Sequence, residues 1–388
     1  MAYGTKYICT FDNLRLDIPA TPVFTIEFQF KEYEGEAYNI KGAAEVLNHS
    51  WETDDPHATI KGSSLAIGLI NEAQTVPLLS FLSLEDDGVK VRLLWNGQLM
   101  FEGFLVQDDC METMVDFNHE INLTANDNLG LLKNVSLDKA PIPHVLIYTS
   151  NETYEISGYE VTNDAAMLTP AINALVGFGA RVLVGDKISV NGAGPYIVDL
   201  VSYDVASEMW FIHFDEFVPS TGGSTIGSLG IFRQPELTDL MSLLTLIKRC
   251  LSATGLTLST TIYSNIYEET QDPAETFLDQ TLINPQVFLK GDTEYEDCYT
   301  VLEKILKRFN LTIFQSTGIW NIVRWDELKN YNNLIPGFSY DSDFNYVGAV
   351  ALPAPINCGI GQNLLWESAP DHRIFRPYLF DKETFNYK

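Results

Sequence analysis

Positive charge is scarce in this chain: 24 Lys and Arg stand against 52 Asp and Glu, a formal net charge of −28 over 388 residues. A surface of that sign repels the phosphate backbone, which excludes stable binding of free nucleic acid. Cysteine is sparse as well. Cys9, Cys110, Cys250, Cys298 and Cys358 contain no CxxC pair, and an odd set cannot all pair within one chain. Reduced thiols are expected, with Cys250 and Cys298 lying in helices as small hydrophobes. No run of ~18 or more apolar residues is available for a membrane span. The opening Met1-Ala2-Tyr3-Gly4-Thr5-Lys6 lacks the charged-then-apolar layout of a signal peptide. A product kept in a cytoplasm, or assembled into a particle there, is the expectation.

The standard catalytic signatures are missing too. There is no glycine-rich phosphate loop, no HExxH and no GxSxG. His49 with Asp54, Asp55 and His57 comes nearest to a metal set, but a solvated acidic loop accounts for it. Asp341 and Asp343 lack the glycine and distal glutamate of a calcium loop and read as turn carboxylates. With 52 acidic residues some pair always suits a glycosidase, so that pattern discriminates nothing. The six tryptophans do not cluster as a sugar platform would, which leaves core or interface packing. No catalytic, cofactor-binding or metal-binding residue is expected, and no enzyme.

What the chain does have is apolar content, 46% hydrophobic and 12% aromatic, enough for two or three buried cores. Val23 to Lys31 alternates strictly, with Phe24, Ile26, Phe28 and Phe30 on one face, as a strand half in a core does. Ala37 to Lys41, Ser64 to Ile70 and Leu78 to Leu84 add further short strands. Asn96-Gly97 joins Val89–Leu93 to Leu99–Val106, because a type I′ turn needs two positive-φ positions. Glu120 to Ala125 alternates again before Asp127-Asn128-Leu129-Gly130.

The ordered series resembles tail-associated proteins of phages and prophages of Bacteroidetes. It is carried by Phe101, Gly103, Phe104 and Leu105, then Leu123, Thr124, Ala125, Asp127, Leu129, Gly130, Leu132 and Lys133. Upstream it includes Ile60-Lys61-Gly62-Ser63 after an acidic loop. Downstream it includes Phe314, Gln315, Gly318, Trp320, Ile322, Val323 and Arg324. The resemblance covers roughly residues 5 to 135 and 237 to 330, with the order preserved.

Between those two parts, residues 144–234 fall outside the resemblance and read as an inserted small β domain, entered through Pro141 and Pro143 and left through Gly-rich loops. Its strands are expected at Ala180–Val184, Asp186–Val190, Tyr196–Tyr203 and Met209–Phe214. A helix then starts with Thr238 or Asp239 as N-cap and stops at Gly255, followed by a strand from Leu256 to Tyr263. A second opens on a Thr293/Glu296 capping box and buries Val301, Leu302, Ile305, Leu306 and Phe309. The hairpin Leu311–Gln315 and Ile319–Arg324 follows. From Tyr331 the pattern loses its period. The expected fold is mainly β with a few helices: an N-terminal barrel over 1–136, the insertion over 144–234, a helix-plus-hairpin part over 235–330, and an extended C-terminal segment over 331–388.

The resemblance implies a virion role: a hub or tail-tip protein that closes the distal end of the tail tube and connects it to fibres or a tip. It implies two tube-like barrels per chain, so that a homotrimeric ring matches a six-fold tube. Its partners would be itself, the tail tube or distal tail protein, fibre or tip proteins and the tape-measure protein. A receptor- or glycan-binding tail protein, using the insertion, is the alternative; a tail-associated cell-wall hydrolase is a further one. Some of the acidity would line a channel for DNA, while the rest serves solubility.

Overall fold

The computed structural model describes residues 3–351 apart from 13–22, 72–78, 113–118, 142–144, 325–335 and shorter loop stretches, most of them between 151 and 235. Nine strands make up the N-terminal part: β1 Tyr3–Asp12, β2 Val23–Lys31, β3 Tyr38–Trp51, β4 Ile60–Lys61, β5 Ser63–Asn71, β6 Val89–Trp95, β7 Gln98–Leu105, β8 Met111–Glu112 and β9 His119–Asn126. Seven of them form a closed barrel in the order β5-β3-β1-β2-β6-β7-β9, with β9 returning to β5. All its neighbours are antiparallel except β1 and β3. Strict alternation is the cause: Ile26 and Phe28, Val89, Val91 and Leu93, and Ile121, Leu123 and Ala125 all point inward and are buried. Asn96 and Gly97 have φ of 48° and 80°, as the type I′ hairpin requires.

Two details differ from the sequence reading. Among the described residues of Leu78–Leu84 there is no strand; Phe81 is instead a fully buried plug packed on Tyr7 and Phe28. β3 runs on to Trp51, well past Lys41, because a bulge after Gly42 lets it change register against β5.

In the inserted region, β10 Val145–Ser150, β11 Ile172–Ala174, β12 Lys187–Val190, β13 Ala193–Asp204, β14 Met209–Phe214 and β15 Leu229–Arg233 make their own six-stranded antiparallel sheet. Its order is β10-β15-β12-β13-β14-β11, so its first and last strands in the chain pair with each other. The described residues of Ala180–Val184, expected as a strand, form the turn into β12.

The third part comprises α1 Leu243–Ser252, β16 Thr260–Tyr263, α2 Phe277–Gln280, α3 Cys298–Arg308, β17 Leu311–Ser316, β18 Ile319–Arg324, β19 Pro336–Tyr340 and β20 Tyr346–Ala351. The N-cap of α1 is Ser242, whose hydroxyl accepts from Thr245 N, rather than Thr238 or Asp239; Leu240 is exposed and precedes the helix. The N-cap of α3 is Asp297, not the Thr293/Glu296 box, and its carboxylate takes the Thr300 amide at 2.8 Å. Five buried residues of α3, Cys298, Val301, Leu302, Ile305 and Leu306, pack on α1 and the sheet. At ~1.5 to 3 kcal/mol for each large side chain this outweighs any surface pair on the helix.

Two expectations are corrected here. The helix-plus-hairpin part is not a second barrel among the described residues but an open sheet, β20-β19-β16-β18-β17-β4, covered by helices. That sheet also takes in residues 336–351, which the sequence reading assigned to a separate C-terminal segment, and it borrows β4 from the N-terminal part. Period fails to reveal β19 and β20 because Pro336, Gly337 and Gly348 interrupt their apolar pattern.

Candidate functional site

Part of the motif series meets at one place, the junction between the barrel and the helix-covered sheet, where Ile60, Phe104, Leu129, Leu132, Trp320 and Ile322 share a core, while Phe101, Leu105, Leu123 and Ala125 pack inside the barrel. Asp127 follows the end of β9 and is fully buried. One oxygen of its carboxylate accepts from Ser63 N at 2.8 Å and Ser63 Oγ at 2.9 Å, the other from Leu129 N at 3.1 Å. The Asp127 amide returns a bond to Ser63 O at 3.1 Å. The Asp-x-Leu and Gly-Ser motifs are thus two halves of one buried knot. Burial pushes the Asp127 carboxyl up to about 7, against the pull of those three hydrogen bonds, and Glu52 adds to the rise.

Neighbouring residues lock the knot to the helices. Asn128 adopts φ of 60° and donates from Nδ2 to the Thr254 carbonyl at 3.0 Å, in the turn after α1, where Gly255 has φ of 75°. Leu129 and Leu132 enter the core shared with α1 and α3. A Cβ on Gly62 would lie 2.4 Å from the Glu52 carboxylate, so the glycine lets the Glu52 side chain rest over this turn.

On the other side of the junction Gln315 acts as a clamp. Its Oε1 accepts from Glu102 N and its Nε2 donates to Glu102 O, both at 2.8 Å, so a side chain of β17 pairs with the backbone of β7 as a strand would. Gly318 N donates to Met100 O at 3.1 Å, and a Cβ on Gly318 would strike Leu99. A Cβ on Gly103 would sit 2.3 Å from the Asn126 carbonyl, so only glycine lets β7 approach β9 there. Trp320 is buried beneath this contact, with Ile60 pairing to Ile313 beside it.

Replacing Gln315 by Leu should keep the volume but strand the Glu102 amide and carbonyl. A cost of roughly 2 to 4 kcal/mol is expected. Urea unfolding followed by far-ultraviolet dichroism and by tryptophan fluorescence should then give separated transitions; coincident, unshifted curves would remove Gln315 from the coupling.

Among the described residues, the other candidate side chains do not come together as a site. The ring of His49 lies against Trp51 and Phe101, and burial lowers its pKa; Asp54 and His57 lie outside the described residues. Asp341 spends its carboxylate on its own hairpin, accepting from Asp343 N at 2.9 Å and Asn345 N at 2.8 Å. Lys248 caps that turn through the Asp343 carbonyl. No group of three or more potential metal ligands occurs among the described residues. Cys250 and Cys298 are free and buried, with the two thiols in contact across α1 and α3. Arg92 lies on the outer wall of the barrel between Glu27 at 3.0 Å and Glu102 at 3.3 Å. The parts played by Glu52, Asn128 and Thr254 had no signal in the sequence, since each contacts a residue distant in the chain.

Fold and junction together define a mainly β scaffold, a closed barrel fixed to an open sheet by buried polar clamps. No family model matches the chain, and neither does any curated protein. Among solved structures, the 43 kDa tail protein of prophage MuSo2 from Shewanella oneidensis is similar at 11% identity and a TM-score of 0.27, over 69% of this chain and 48% of that one. The chain therefore spans about half the length of that protein, and a likeness at that score carries no argument. No helix among the described residues is long and apolar enough to cross a membrane.

Proposed function

We propose that this chain is a structural, non-enzymatic component of a bacteriophage tail, a hub or tail-tip protein at the distal end of the tail tube. The observation that carries the proposal is the ordered motif series, which resembles tail proteins and several of whose residues join the barrel to the helix-covered sheet.

In this reading the chain forms a homotrimeric ring in the virion. It contacts the tail tube or distal tail protein on one side, fibre or tip proteins on the other, and the tape-measure protein. Support for a ring comes from β20, the outer strand of the open sheet among the described residues, whose sequence Tyr-Val-Gly-Ala-Val-Ala carries no charge and whose Tyr346 and Val347 are 48% and 68% exposed. Edge strands of that composition pair with further strands unless something covers them. The inserted sheet would be a separable module on this framework, over 144–234, and acidic residues would line the DNA path.

Electron imaging of particles labelled on this chain tests the reading. A ring at the tube's distal end is expected, with density retained when residues 145–233 are replaced by a short Gly-Ser linker. Label elsewhere in the particle, or single copies, would overturn the hub assignment. A neutral or basic lumen in the assembled ring would discard the DNA-channel role of the acidity.

A further inference from the structure

Cys250 and Cys298 meet close to where the chain leaves for, and returns from, residues 144–234. Just before that stretch, Leu137 N donates to Glu296 O at 2.9 Å, and Val135 O accepts from Cys298 N at 2.8 Å. After it comes α1, whose Arg249 Nε donates to Leu137 O at 3.0 Å. The outgoing segment, the returning helix α1 and the start of α3 are thus held together by hydrogen bonds and packing alone. The two thiols lie between α1 and α3.

Their setting differs from that of Cys9 and Cys110, which pack in the barrel. Cys250 and Cys298 are free, fully buried in one core and in contact with each other. Cys298 is the first residue of α3, an end that favours negative charge. Arg249 is only 2% exposed, its charge acts on both thiols, and its Nη1 has no acceptor among the described residues. A buried donor without an acceptor costs stability, and a thiolate is an anion that can offset it. Burial and the neighbouring thiol oppose this and push Cys250 well above its ordinary value. At rest the pair is therefore protonated, and a proton must leave before either sulfur reacts.

We propose that Cys250 and Cys298 are a redox latch, which hydrogen peroxide closes into a disulfide that fastens the returning helix α1 to α3. One thiol loses its proton, and its thiolate attacks a peroxide oxygen. The O–O bond breaks, the departing hydroxide takes up that proton as water, and a sulfenic acid remains. The second sulfur then attacks the sulfenic sulfur, the S–O bond breaks, and hydroxide leaves with the second thiol's proton as another water. Two thiols and one hydrogen peroxide give one disulfide and two waters; the sulfurs lose two electrons and the peroxide oxygens gain them. Peroxide is small enough to reach the pair through local opening of the helix layer. The latch is independent of the tail reading, since it needs only the described core.

The test treats the full chain, reduced and then freed of reductant, with hydrogen peroxide. After quenching with catalase, remaining thiols are alkylated in denaturant and the unreduced peptides are mapped by mass spectrometry. The peptides of Cys250 and Cys298 should be joined as the predominant disulfide. Closing residues 251–297 into a loop removes freedom from the unfolded chain, so the melting temperature should rise by at least about 5 °C and fall back on reduction. Cys250→Ala and Cys298→Ala, made separately, should each abolish that rise. The latch is overturned if both thiols stay alkylatable, if they stop at sulfinic acid, if other pairings form in equal yield, or if the linked protein melts where the reduced one does. Because the mapping is done on the unaltered chain, it decides even if neither variant folds.

Discussion

Asp127→Ala should destabilise the protein by roughly 3 to 5 kcal/mol, because two buried backbone amides and the Ser63 hydroxyl lose their common acceptor. Chemical unfolding checks the size of the loss. A shift no larger than that of a surface substitution would mean that the knot is not a stabilising element. The pH dependence gives a sharper reading. The folded-state carboxyl titrates at about 7 against an ordinary 3.8. A raised acid binds its proton more tightly in the folded than in the unfolded chain, so its contribution is greatest below about pH 4 and is lost as pH rises through 7. Asp127→Asn has no proton to lose. The difference in stability between wild type and Asp127→Asn should therefore shift in favour of the variant by a few kcal/mol between pH 4 and 8. Parallel pH profiles for the two proteins would show that Asp127 does not titrate in that window.

The second large effect is expected from Trp320→Ala. This side chain is 1% exposed in the core that joins the sheet to α1 and α3. Removing so large a buried ring costs about 3 to 5 kcal/mol in transfer and cavity energy. Trp51 makes the comparison: it is 41% exposed and meets the rings of His49 and Phe314 at the rim of the same junction. Its truncation should cost less than about 1 kcal/mol. Similar melting shifts for the two variants would show that the core is not centred where Trp320 lies.

Several parts of the molecule were legible residue by residue because their cause is local. β2, the β6–β7 hairpin and β9 follow from alternation and from Asn96-Gly97, whose positive φ values the turn demands. The turn at Gly255 that follows α1 and the stripe Val301, Leu302, Ile305 and Leu306 follow in the same way. Helix starts were displaced by three to four residues, to Ser242 and Asp297, because several neighbouring residues are competent caps and only packing chooses among them. Phe81 looked like part of a strand because apolar runs are read alike whether they pair or plug.

Taken by itself, then, the amino-acid sequence determined the mainly β class, the hairpin turns, the amphipathic faces, the scarcity of basic charge and the order of the motifs. Each of these depends on neighbours within a few positions, where backbone preference and side-chain period act directly. What only the tertiary structure decided is which distant residues share a hydrogen bond: Gln315 with Glu102, Asp127 with Ser63, Asn128 with Thr254. It also decided that β9 returns to β5 to close the barrel, while the later strands stay open and reach to 351. Strand pairing is set by backbone groups that every residue carries alike. Closure and partner choice therefore depend on how all the buried faces pack at once, and no local pattern contains that information.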